Sequence, residues 1–514
     1  MERRTFLYVT GAAAASCAWG AEGKPGPTVE TIYGKVRGLQ LDKVQAFKGL
    51  RYGADTSGAN RFLAPKKPAK WTGVQDAFEW GQEAPQSHPH TEIPEVRATV
   101  QDHPVGEDCL RLNVWTRSAG NGKRPVMVWF HGGGFTSGNG GYTIYDGANL
   151  ARRQDVVVVT VNHRLNSFGF TYLGDGASNV GMLDCIAALE WVKENIAKFG
   201  GDPANVTIFG QSGGAGKVSV LLAMPGAKGL FHRAIIQSGS ALTGVAKADA
   251  VKSAEQFMAK VGAKNIGDLQ KLPMQQLIEA NDAVRGLRTS PVVDGVTLPT
   301  DPFSPTAPGI SANVPVLIGS TETEVTFFPG QPIDPIDDAG LLGRMKAVIG
   351  RNATDAQAKE LIEAYRKGRP GVSNIDVALI AESDGRFRAG VLTEAELKAA
   401  QPAPMYMYYF TWRTPVHEGK LKSLHTLEIP FAFANVDNGP TMTGTGKDRY
   451  ALEEKVSGAW ASFARTGSPN YKGLPNWPKF DLATRATMIL DNECKVVNDP
   501  NGAERKLLAS LRRG

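Results

Sequence analysis

Short apolar runs punctuate the chain, and their lengths and spacing predict most of its elements. Residues 156–161 are almost continuously β-branched and apolar, as in a strand buried on both faces of a parallel sheet. Residues 110–116, 126–130, 206–209, 234–237, 315–318 and 405–410 have the same strand-like character. Within 182–199, Ile186, Leu189, Val192 and Ile196 recur at helical spacing. The chain opens with two antiparallel-looking strands, 29–37 and 44–51, followed by a mixed loop as far as residue 108. Alternating strands and helices predict an α/β fold with a mostly parallel central sheet and right-handed crossovers. Two helix-rich polar stretches, 245–290 and 335–400, interrupt the rhythm. They read either as walls and lid of a pocket or as surface helices.

Length alone, 514 residues, suggests two domains. No break in composition marks a linker, so 22–514 reads as a single domain. A net charge of +6 is small for this length, and no Lys/Arg block interleaved with aromatics appears. Nucleic acid is therefore not an expected partner. Residues 1–21 stand apart: Arg3-Arg4 precedes a short apolar, alanine-rich stretch. This is the pattern of a twin-arginine export signal, too short to span a membrane, and it implies a periplasmic or extracellular protein. Lipidation at Cys17 is the rival reading, disfavoured because Ala14-Ala15-Ser16-Cys17 lacks the leucine of a lipoprotein box. No other run is long enough for a transmembrane helix. Once Cys17 leaves with the signal, Cys109, Cys185 and Cys494 remain. None lies in a CxxC or beside a histidine, so packing is their expected role.

The chemistry centres on Gly210-Gln211-Ser212-Gly213-Gly214, which follows a strand and opens a run of small and apolar residues. G-x-S-x-G at such a junction puts the serine on a sharp, exposed turn that only flanking glycines permit. Upstream, residues 126–130 run into His131-Gly132-Gly133-Gly134-Phe135, a loop whose N–H groups can hold an oxyanion. Together these imply a serine hydrolase. Ser212 then needs a base and an acid, which in the α/β-hydrolase order follow as acid first and histidine last. Only His417 and His425 come late. His425 precedes an apolar segment, as a loop histidine reaching over the sheet should, whereas His417 sits in a polar turn. For the acid, Glu322 and Glu324 both follow the strand at 315–318, where the catalytic groups of open α/β sheets collect.

The chain resembles the type B carboxylesterases, the family of cholinesterases and bacterial para-nitrobenzyl esterases. The resemblance runs from about residue 29 to 498. It is carried by Glu107-Asp108-Cys109-Leu110-Arg111-Leu112-Asn113-Val114-Trp115, the glycine loop, Asn162-His163-Arg164-Leu165, Phe199-Gly200-Gly201-Asp202-Pro203, the serine elbow and Ser290-Pro291-Val292-Val293-Asp294-Gly295. It implies the α/β-hydrolase fold with helical insertions as pocket walls, and an esterase that needs no metal or organic cofactor. It implies a triad of Ser212, Glu324 and His425, with an oxyanion hole from the N–H groups of Gly133, Gly134 and Gly213. Arg61 with Glu107, and Arg164 with Asp184, match the family's structural ion pairs. Three departures narrow the substrate to esters other than choline's. Gln211 stands where the family often has glutamate, no tryptophan lies between Trp80 and Trp115, and Cys109 lacks its partner. Lys217 replaces a small or hydroxylic residue, and reads as a solvated or framework lysine or as a contact for an acidic substrate group.

Other readings fail on the residues. A phosphate loop around Gly216-Lys217 would need Gly at 211 and Ser or Thr at 218, where the chain has Gln211 and Val218. His88, His90 and His103 lie in a proline-rich loop without the spaced carboxylates or cysteines of a zinc site. A non-catalytic binding protein on this fold would have lost a triad member, and none is missing.

Overall fold

The computed structural model describes residues 23–87, 97–101, 103–174 and 176–513. Residues 1–21, with Arg3-Arg4 and Cys17, and the histidines His88 and His90 lie outside the described residues. One large sheet takes strands from almost the whole described length. β1 (Lys24–Glu30), β2 (Lys35–Leu41) and β3 (Val44–Arg51) form an antiparallel edge, with short β4 (Val74–Asp76) parallel beside β2. β3 pairs antiparallel with β5 (Arg111–Thr116). The centre comprises β6 (Gly120–Phe130), β7 (Val157–Val161), β8 (Phe199–Gln211) and β9 (Arg233–Gln237). β10 (Val245–Ala246) and β11 (Val292–Val293) form a separate parallel pair. β12 (Val316–Thr321), β13 (Met405–Phe410) and β14 (Ala486–Leu490) extend the main sheet, and β15 (Lys495–Asn498) closes it antiparallel to β14. The spatial order is β1-β2-β3-β5-β7-β6-β8-β9-β12-β13-β14-β15, and every neighbouring pair from β7 across to β14 is parallel.

Successive side chains of a strand point to opposite faces, and both faces are covered here. Val126, Val128 and Phe130 pack with Ile208, Ile236 and Ile318 against the helices Val180–Asn195 and Gly213–Ala223. Met127 and Trp129 pack with Phe209, Ile235 and Leu317 against the helices Ala148–Gln154 and Asp448–Thr466. This two-sided burial is why the central strands read as unbroken apolar runs.

One expectation needs correction, and one of the alternatives left open for Lys217 is excluded. The first strand, read as 29–37, is two strands. Thr31 closes a turn by accepting the N–H groups of Tyr33 and Gly34 on its hydroxyl while its own N–H reaches Gly34 O at 3.0 Å. Lys217 is not solvated; its side chain is completely buried. The long helix Asp448–Thr466 and the strands β4, β14 and β15 carry no pattern distinct enough to be foreseen.

The expected ion pairs are present. Arg61 Nε donates to Glu107 Oε2 at 2.6 Å, and Arg164 clasps Asp184 through Nε (2.8 Å) and Nη2 (2.6 Å). Arg164 also donates to Leu63 O at 2.7 Å, tying the loop after β7 to the region ahead of β5. Asp184 has no solvent exposure, so removing its partner strands a buried charge. Arg164→Met is expected to lower unfolding free energy by about 3–5 kcal/mol in denaturant titration. A loss below about 1 kcal/mol, the scale of an exposed pair, would contradict the structural role.

Candidate active site

The serine lies between β8 and the helix Gly213–Ala223. Ser212 has φ 58° and ψ −121°, a left-handed conformation that costs a residue with a side chain about 1–3 kcal/mol. Its N–H donates to Gln237 O at 2.8 Å and its carbonyl accepts from Gly216 N at 3.0 Å. These bonds hold the bend, and the side chain remains partly exposed. The neighbouring glycines leave no room for substitution. A Cβ on Gly213 would lie 2.1 Å from Gly134 O, and one on Gly214 would lie 1.9 Å from Phe130 O. The loop after β6 and the elbow after β8 are thus in backbone contact. Gly133 (φ 87°) and Gly134 (φ 61°) are themselves left-handed.

Glu324 opens a short 3-10 turn just beyond β12, and His425 lies in the loop ahead of the helix Glu428–Ala432. The two loops are stitched together: Thr323 N donates to Ser423 O at 3.1 Å, and Ser423 N donates to Thr323 Oγ1 at 2.9 Å. Adjacent to this seam, His425 Nδ1 lies 2.5 Å from Glu324 Oε2. Glu324 Oε1 accepts the Thr321 N–H at 2.8 Å. Both side chains are buried, so the carboxylate restricts the ring to one orientation. Glu322 points elsewhere and pairs with Arg413 at 2.9 Å. His417 sits in an exposed turn. Of the alternatives open in the sequence, the structure joins Glu324 with His425.

Ser212 Oγ and His425 are not hydrogen-bonded in this structure. Instead the amide Nε2 of the buried Gln211 lies 3.1 Å from His425 Nε2. Three aromatic rings surround the imidazole: Phe327, Phe328 and Phe387 have centroids 5.3, 5.6 and 5.0 Å from it. Arg386 lies over Phe328 at 4.3 Å. Phe387 and Arg386 belong to a π-helical turn, Asp384–Arg388, inside the second insertion. Val245, Asp249 and Arg288 of the first insertion line a cavity of about 570 Å³ with Phe135 and Val220, and Ser212, Glu324 and His425 are not among its lining residues. Of the two insertions, the second therefore reaches His425 through Phe387. A larger cavity of about 1140 Å³, lined by Glu322, Arg413, Asp491 and Lys495, holds none of the three triad candidates. The contacts of Gln211 and Phe387 on His425 were not legible in the sequence; only the adjacency of Phe327 and Phe328 to Glu324 hinted at an aromatic surround.

Among the described residues no cluster of three or more histidine, cysteine, aspartate or glutamate side chains is placed to hold a metal ion. Cys109, Cys185 and Cys494 are free thiols and buried. No helix of the described residues is long and apolar enough to cross a membrane.

A serine on a strained strand-to-helix elbow at the end of a mostly parallel sheet, with a buried His–Glu pair in contact with the residue before it, is the arrangement of an α/β-hydrolase. The chain belongs to the carboxylesterase family, which it matches over residues 25–507. It is 35% identical over 502 residues to the para-nitrobenzyl esterase of Bacillus subtilis (strain 168), covering 93% of this chain and 98% of that protein. It is 33% identical over 483 residues to the phenmedipham hydrolase of Pseudarthrobacter oxydans, covering 91% and 95%. A carboxylesterase structure from Geobacillus stearothermophilus is similar with a TM-score of 0.79 at 37% identity, covering 94% of this chain and 99% of that one. An esterase of Clostridium hathewayi described as able to hydrolyse aliphatic aromatic polyesters has a TM-score of 0.82 at 33% identity, covering 94% and 98%. The protein is a carboxylic ester hydrolase.

Two predictions follow from the acid side of the site. Glu324→Gln is expected to lower kcat on an ester substrate by about 10²–10⁴-fold, and Glu322→Gln to change it by no more than about 2-fold. The reverse ranking would move the acid to Glu322. Glu428, buried three residues after His425, accepts from Ser238 Oγ and Gln237 Nε2 at 3.3 and 3.4 Å. Burial and the nearby Glu324 push its carboxyl up to about 8. Between the ordinary glutamate range and pH 8 the folded chain keeps a proton that the unfolded chain releases, so this group's contribution to stability falls as pH rises, by up to about 1.4 kcal/mol per pH unit. Glu428→Gln should therefore gain stability relative to wild type as pH rises from 5 to 8 in thermal unfolding. A difference independent of pH would contradict this.

Proposed function

We propose that the protein cleaves carboxylic esters through a Ser212-His425-Glu324 triad and an acyl-enzyme, with residues 22–514 acting as one catalytic domain. The observation that carries this reading is the strained Ser212 elbow packed against Gly134, with a buried His425–Glu324 contact of 2.5 Å on the neighbouring loops. Glu324 holds Nδ1–H of His425, which leaves the Nε2 lone pair as the proton acceptor. Ser212 Oγ and the Gln211 amide compete for that lone pair, so the amide yields when the serine turns in. Ser212 then attacks the ester carbonyl as His425 takes its proton. Charge develops on the carbonyl oxygen, where the N–H groups of Gly133, Gly134 and Gly213 receive it; one such donor is worth about 10²–10³ in rate. His425 passes the proton to the leaving alcohol, and water reverses the sequence to release the acid.

The rings of Phe327, Phe328 and Phe387 favour esters with apolar or aromatic groups at the reacting centre. The Arg3-Arg4 leader supports action outside the cytoplasm. The test is hydrolysis of p-nitrophenyl esters from acetate to palmitate, with Ser212→Ala alongside. The variant is expected to fold normally and to lose kcat by roughly 10⁴-fold or more. Turnover close to wild type in that variant would overturn the mechanism.

A further inference from the structure

Lys217 lies one turn into the helix that follows Ser212 and has no solvent exposure. Among the described residues no carboxylate pairs with it. Its Nζ donates to His131 O at 3.1 Å and to Gly134 O at 2.7 Å, with the Phe135 ring 5.2 Å away. A buried cation without a counter-ion is expensive unless its donors are used, and here they are used on one loop. All four carbonyls of residues 131–134 meet protein donors. Lys217 takes the first and last, Gly132 O faces His131 Nδ1 at 2.8 Å, and Gly133 O accepts from Thr136 N and Ser137 N at 3.3 and 3.1 Å. In a trans peptide the N–H points opposite to the C=O. The two peptides that Lys217 holds bracket the two whose N–H groups belong to Gly133 and Gly134.

We propose that Lys217 is the positioning residue of the oxyanion loop: it anchors the loop from beneath by two carbonyls so that the Gly133 and Gly134 N–H groups face the substrate oxygen. This rests on reading that loop as the oxyanion hole. The anchor takes the carbonyls of His131 and Gly134, while those of Gly132 and Gly133 are bonded within the loop itself. The groups facing Lys217 are Cys185, His163 and the stacked His131, whose ring lies 4.9 Å from that of His163. Burial pulls the Lys217 ammonium down to about 7 and holds His163 well below its ordinary value. A neutral amine still carries two N–H donors for two carbonyls, so the anchor holds with Lys217 charged or neutral.

The test uses Lys217→Met, which keeps the length of the side chain and removes its donors, with Lys217→Gln as a second variant that retains an amide donor. Activity is expressed per active site, titrated with a serine-directed phosphonate, so that misfolded protein does not count. Inhibition by an aryl trifluoromethyl ketone, whose adduct with serine carries the oxyanion, is measured in parallel. Lys217→Met is expected to lower kcat about 10²-fold with KM within about 2-fold, and to weaken the ketone by a similar factor. Lys217→Gln should recover part of both losses. Wild-type kcat and ketone affinity per titrated site in Lys217→Met would overturn the proposal, and so would a loss confined to the number of titratable sites. Ketone binding to wild type that survives Ser212→Ala would instead overturn the underlying triad reading.

Discussion

The backbone contact between residues 132–134 and 210–214 is the constraint on which the rest of the site depends. β6 and β8 are hydrogen-bonded neighbours in the sheet, so the loops at their carboxyl ends emerge side by side. They touch without an intervening side chain because Gly213 meets Gly134 and Gly214 meets the Phe130 carbonyl. This closeness places a strained serine beside a row of peptide groups. Sheet order therefore creates the site before any individual side chain is considered. Glu324 and His425 arrive by the same logic, from beyond the ends of β12 and β13, and their loops are joined by the Thr323–Ser423 seam.

Around that contact the protein buries several groups that would be more stable in water. Lys217, Glu428, Glu394 and the Arg164–Asp184 pair all lie inside. The ion pair satisfies itself, whereas Lys217 and Glu428 face the reacting loops and are shifted toward neutrality by burial. A site assembled from strained backbone and buried polar groups draws on the stability of the core beneath it. The two-sided apolar sheet supplies that stability, with fully buried aliphatic side chains contributing about 1.5–3 kcal/mol each.

The sheet was legible because two-sided burial leaves its mark in sequence as uninterrupted apolar runs, seen at 126–130 and 156–161. Edge elements were less so. The turn at Thr31 depends on one hydroxyl satisfying two N–H groups, and β15 is four residues long with exposed and half-buried positions. Ser212 and the glycine loop were legible because their backbone geometry tolerates few residues. Glu324 was not separable from Glu322 by pattern, since both carboxylates leave the same strand; only the loop conformation directs one to His425 and the other to Arg413. Lys217, Gln211 and Phe387 act through contacts between elements far apart in sequence. A lysine on a helix reads equally as solvated or as framework until the loop it bonds is in view.

The most direct test of this account is to treat the enzyme with a phosphonate ester that mimics the tetrahedral intermediate and to map the adduct by peptide mass spectrometry. The account predicts one adduct per chain, on Ser212, with activity lost in proportion to labelling. An adduct on another residue, or full activity in protein labelled at Ser212, would contradict it.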